Sequence, residues 1–277
     1  MARVNERAKQ KYFERIKEYR KITQHLLENE KKVLQQLKRE EDGAAYKRIR
    51  LANENLDIVS YFLIINNLSQ NLLGVKNENA LNDARKACYK AIIYLEEIFS
   101  SLIDVPYSDY EERLTEVTAF PEKDRFTLIR KLGFAINSIE LGFGANSKWK
   151  WSFVELEGRL ATISKNCLDM KHFIAGLDPR VEGYKDRLFH MNMTAGLLQK
   201  SAEEYRKKYE LSTRRLDDYK KALDYLGALR RIYILINKPD QAEAMKKKRD
   251  VWLVKLNQDM KREEQDAKAA RLGVKKS

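Results

Sequence analysis

The 277-residue chain is 34% charged and 43% hydrophobic, with only 11 Gly and 4 Pro. That is too much apolar material for a disordered chain and too few helix breakers for a loop-rich one. The formal charge of +13 sits at the ends: residues 1–50 carry 15 Lys+Arg against 8 Asp+Glu, residues 238–277 carry 12 against 7, and residues 51–237 carry 27 against 26.

In chain order, residues 3–40 form a strongly charged amphipathic helix that the Glu41-Asp42-Gly43 turn ends. A second helix, 45–73, is very apolar from Leu56 onward and stops at Gly74; a third, 79–103, carries Leu81, Ala84, Cys88, Ala91, Leu95 and Leu102. The four prolines, Pro106, Pro121, Pro179 and Pro239, each precede an amphipathic segment, and proline suits the first helical turn because its missing N–H is unpaired there anyway. Asp178-Pro179 and Lys238-Pro239-Asp240 therefore read as helix starts, and Ser108-Asp109-Tyr110-Glu111 as a capping box ahead of a short helix, 109–119. A helix over 122–142 follows, with Phe126, Ile129, Leu132, Ile136 and Ile139 on one face.

Two apolar seams come next. Trp149, Phe153, Leu156, Leu160, Ile163, Cys167, Met170 and Ile174 alternate spacings of four and three, the mark of a helix burying one stripe. The second seam runs from Val181 through Leu198 and Tyr209 to Leu226. It fits either one helix of about 55 residues, about 80 Å long, or a hairpin turning near residues 210–213, and the hairpin is favoured because single helices this long are unusual in compact domains.

The chemistry-bearing motifs are few. His25, His172 and His190 lack metal-ligand spacing and read as surface or half-buried helical residues. The loop Gly142-Phe143-Gly144-Ala145-Asn146-Ser147-Lys148 lacks the spacing of a phosphate loop and reads as an interhelical turn. Cys88 and Cys167 lie in apolar helical patterns, as buried free thiols of a reducing compartment do. No apolar leader stands at the start, and the most hydrophobic stretch, 58–65, falls far short of the roughly 20 residues of a spanning helix. The expectation is a cytoplasmic, non-catalytic protein with no transmembrane segment, no metal and no cofactor.

Three surfaces stand out as candidate binding sites. Lys148-Trp149-Lys150-Trp151 places two indoles about 200° apart on a helix, so both cannot face one groove. The second face, with Val154, Gly158 and Ala161 below Trp151, fits a helix buried on two sides; the other reading makes Trp151 an exposed aromatic anchor flanked by Lys148 and Lys150. The run Lys246-Lys247-Lys248-Arg249, with Lys255, Lys261 and Arg262, could track phosphates or could be a solvated face.

The third is the segment 225–260, which resembles the helical hairpin of tetratricopeptide repeats: Leu229, Tyr233 and Ala242 match that motif, while Arg230, Lys246 and Arg249 depart from it. The resemblance implies protein-protein interaction, with Tyr233 as a candidate partner-binding residue beside Lys148, Lys150 and Trp151.

The predicted fold is all-α, an antiparallel bundle or short array of helical hairpins. Residues 1–43 form a basic amphipathic helix, 44–260 the helical core, and 261–277 a basic tail expected to fray. The function expected is an interaction scaffold or adaptor for another protein, with self-association possible. The alternative is binding of nucleic acid or an anionic surface through the basic ends, and salt separates the two, because phosphate-driven binding weakens steeply with it.

Overall fold

Asn5 accepts a hydrogen bond from the Arg7 N–H and so caps the first helix, α1 (Glu6–Leu37). The computed structural model describes residues 5–39, 42–144 and 146–271; within them it holds ten α-helices and no strand. Helix α2 (Ala44–Leu73) runs back along α1 and ends at Gly74, and Asn77 caps α3 (Glu78–Phe99) by accepting from the Ala80 N–H. The basic first helix is no free arm. Its Val33 joins the main core, and its Glu30 is buried, accepting hydrogen bonds from Asn55 of α2 and from Lys90 and Tyr94 of α3.

Helix α3 stops four residues short of the sequence expectation. Ser100 takes φ 75°, outside the helical region, and leaves Leu102 half exposed. The Asn166 amide donates to the carbonyls of Ser100 and Leu102 and holds that turn. A 3₁₀ turn (Tyr107–Asp109) leads into α4 (Glu111–Thr115), and the predicted capping box does not form: Tyr110 stands at the N-cap with no side-chain cap, and Ser108 bonds to Asp109 instead. Pro121 precedes α5 (Glu122–Phe143), as expected.

The first apolar seam is split between two helices. Helix α6 (Lys150–Asn166) closes at Cys167, and the Asp169 carboxylate accepts the His172 N–H to start α7 (Met170–Ala175). The seam's spacing survives the break, but its last member, Ile174, is 43% exposed. Pro179 does not open a helix. It lies in a turn where Arg180 bonds the Asp178 carboxylate, and α8 (Tyr184–Lys208) begins only after Gly183.

A single π-helical turn (Tyr209–Thr213) and Arg214 at φ 52° reverse the chain into α9 (Leu216–Leu235), so the second seam is a hairpin. Tyr205 stacks on Tyr225 and Tyr209 meets Tyr219 edge-on, which zips the two helices antiparallel. Pro239 opens α10 (Pro239–Arg271), which returns along α9. The tail expected to fray is helical to Arg271, with 261–268 exposed; residues 272–277 lie outside the described part.

Helix α6 divides the molecule. Phe153, Leu156, Leu160 and Ile163 face a core shared with α2, α3 and α5, while Val154 and Ala161 face a second core built by α8, α9 and α10. Each fully buried side chain of this size contributes about 1.5–3 kcal/mol, so both sides hold α6 in place. Trp149 packs on the first core and Trp151 on the second, as a helix buried on two sides requires.

Candidate functional site

A concavity of about 670 Å³ lies where α4, the start of α5, α7 and the 176–183 connection meet α8. Two arginines build its walls. Arg125 is buried and donates from Nε to the Phe120 carbonyl and from Nη2 to the Val117 carbonyl, fixing the α4–α5 link. Arg187 donates to Glu122 and to the carbonyls of Gly176 and Glu182, tying the 176–183 connection to α5.

The carboxylates on the cleft are all engaged. Glu111 pairs with Lys171, and Glu122 with Arg187 at 3.0 Å. Asp169 accepts from His172 Nδ1 at 2.6 Å and from the Tyr107 hydroxyl at 3.0 Å. Burial works to raise the Asp169 pKa, but the hydrogen bonds from His172 and Tyr107 outweigh it and hold the carboxyl below its ordinary value. The same pair raises the His172 pKa. These groups stabilise the walls and leave no carboxylate on the cleft unengaged.

Behind the cleft, Cys167 Sγ lies 3.7 Å from His190 Nε2, and both are buried. Sequence places His190 on the surface or half-buried; the structure sandwiches it between Phe126, stacked at 5.3 Å, and the Ser164 carbonyl, 3.1 Å from Nε2. Burial pushes the thiol up to about 12 and the imidazole down to about 4. Both are neutral near pH 7, so the contact lacks the thiolate that makes a Cys–His pair nucleophilic.

Val181, on the connection after α7, lines the cleft and is 42% exposed; Ile174 and Leu177, on the same stretch of chain but not in the cleft lining, are 43% and 40% exposed. No sequence pattern marks them as surface, because Ile174 ends one apolar seam and Val181 begins the next.

The residues singled out by sequence lie elsewhere. Lys148 and Lys150 are exposed, and each covers a different ring, Trp149 at 5.4 Å and Trp151 at 5.0 Å. Trp149 is also stacked by the Arg85 guanidinium at 3.7 Å. Trp151 and Tyr233 are half-buried against the second core.

Of the basic run, Lys246 and Lys247 face solvent, whereas Lys248 pairs with Glu203 and Arg249 lies 3.9 Å from Asp104. The four cations do not share one surface. Among the described residues no cluster of three metal-ligating side chains forms.

Fold and cleft together define an all-α array of antiparallel helices organised around one doubly buried helix. The chain belongs to the TP0443 family, whose profile it matches over residues 8–260. The match spans the array from α1 into α10, so the 225–260 hairpin that resembles a tetratricopeptide unit is one part of a whole-chain family. No curated protein and no solved structure shows significant similarity to the chain. No helix among the described residues is long and apolar enough to cross a membrane.

Proposed function

We propose that this protein is a non-catalytic helical interaction module, and that a partner protein seats apolar side chains in the cleft between α4, α5, α7 and α8. The observation that carries this reading is an open concavity of about 670 Å³ whose lining includes the exposed Val181, with Ile174 and Leu177 exposed on the chain that flanks it. Apolar side chains exposed at and around a concavity fit an interaction surface. Support also comes from the cleft's internal pairing: its carboxylates are engaged and the thiol behind it is neutral.

The test is site-specific photo-crosslinking in the native cell. A benzophenone side chain at Leu177 is expected to give discrete adducts that the same group at Lys220, on exposed α9 surface, does not give. The adducts should persist at high salt and disappear with Val181→Asp. Identical patterns from both positions would overturn the reading.

Binding of nucleic acid or an anionic surface is less well supported. Lys248 and Arg249 are held by acids, and the exposed stretch 261–268 balances three cations with three acids. Salt-sensitive adducts from Lys246 or Lys247, rather than from Leu177, would favour it.

A further inference from the structure

A second cavity, about 230 Å³, opens between the 105–110 segment, the end of α6 and the last turns of α9, and Tyr107 separates it from the cleft. Its walls are apolar, with Val105, Pro106, Tyr110, Met170 and Ile232 among them, and Ile234 and Leu235 stand exposed at its mouth. Two cations line this space: Arg231, which is exposed and paired with Asp104 at 2.6 Å, and a second one that is buried. Lys165, in the last turn of α6, is 4% exposed and lines the cavity.

Among the described residues no hydrogen bond or ion pair reaches the Lys165 ammonium. It stands over the face of Tyr110, with Nζ 4.4 Å from the ring centroid. Asp104 and Asp109 act on it only from beyond ion-pair distance, and Asp104 is taken by Arg231 at 2.6 Å. Burial is the main cause that brings the Lys165 pKa down to about 8, so the amine is still mostly charged at pH 7. A buried ammonium with three donors and a single ring face is incompletely satisfied. The rest of the wall provides contact for an apolar body.

We propose that this cavity is a binding site for a small monocarboxylic acid, whose carboxylate pairs with the Lys165 ammonium while its apolar body fills the space between Tyr107, Tyr110, Met170 and Ile232. The site is separate from the cleft and does not depend on the partner reading.

The test uses the whole protein with hexanoate and benzoate as probes, and hexylamine and benzyl alcohol as charge-reversed and neutral controls. Calorimetry is expected to show the acids binding at millimolar concentration or below, with the alcohol at least tenfold weaker and the amine not bound. Lys165→Met removes the charge at similar volume and should weaken the acids at least tenfold while leaving the circular dichroism unchanged.

Leu235→Asp, at the exposed mouth, should weaken them by repulsion without touching the core. Bound hexanoate should also slow trinitrophenylation of Lys165, which a merely structural lysine would not show. Equal affinity in Lys165→Met, equal binding of hexylamine, or no binding of either acid at millimolar concentration overturns the proposal. Binding of a peptide C-terminal carboxylate without the free acids overturns it in favour of a protein partner.

Discussion

The Tyr225 hydroxyl lies 2.6 Å, and Tyr205 Cε2 2.7 Å, from where a Cβ on Gly158 would stand. No real Cβ tolerates that approach, so the stacked tyrosine pair can close on α6 only because residue 158 has no side chain. Gly158→Ala is therefore expected to destabilise by about 1–3 kcal/mol, since neither ring can retreat from the second core. Gly196, with nothing within 4 Å of its Cβ position, is the control: Gly196→Ala should be neutral or slightly stabilising in the same urea titration.

The helices were legible because hydrophobic spacing and sparse breakers agree with each other over most of the chain. The hairpin at Tyr209–Thr213 followed from length alone. The interruption at Cys167 did not, because apolar spacings of three and four carry across it and only the Asp169 cap reveals the new helix. Pro179 misled because proline fits a turn as well as a first helical turn.

Parts of the sites were readable and parts were not. Val154, Gly158 and Ala161 mark the second buried face of α6, and the next step of that face is Lys165, a lysine that two-sided burial keeps from solvent. The surroundings of Asp104 were beyond reach. It joins Gly227, Arg231 and Arg249, more than a hundred residues downstream, and no local pattern encodes that meeting.

Glu30 is the strongest polar tie between α1 and the rest of the array. It is 3% exposed and accepts from Lys90 at 2.5 Å, Tyr94 at 2.7 Å and Asn55 at 3.0 Å. Burial works to raise its pKa, but these donors outweigh that and keep it below 4.5. Glu30→Gln keeps the shape, loses the charge and sets an amide donor against three donors. The expected cost is about 2–3 kcal/mol by urea unfolding. Lys90→Met should cost less, because Lys90 is 44% exposed and its charge is already partly screened.

Removing residues 261–277 is expected to leave the fold intact. The last buried side chains of α10 are Trp252 and Leu256, and the Tyr209–Asp259 hydrogen bond at 2.8 Å lies on the retained side of the cut. Thermal unfolding should shift by no more than about 2 °C, as a loss under about 0.5 kcal/mol implies for a chain this size. A cut before Trp252 should instead melt the α9–α10 hairpin, because Trp252 packs on Tyr219. A large shift from the shorter truncation would mean that the exposed turns after Met260 carry contacts the fold needs.

Acid should destabilise the protein first through His190. Its folded pKa is about 4 against 6.5 when free, because burial disfavours the imidazolium. Between those values the unfolded chain binds the extra proton, so stability falls as pH drops from 6.5 and the loss is complete below about 4. At 1.36 kcal/mol per pKa unit the full penalty is about 3 kcal/mol. His172 works in the opposite sense, since Asp169 raises its pKa, but its side chain is 78% exposed and its share is small. The depressed carboxyls of Glu30 and Asp169 add losses only further down, as pH falls below their ordinary values. His190→Gln can still donate to the Ser164 carbonyl and does not titrate, so its urea midpoint should stay nearly level from pH 7 to about pH 5 while the parent's declines. Parallel decline in both proteins would place the acid sensitivity elsewhere.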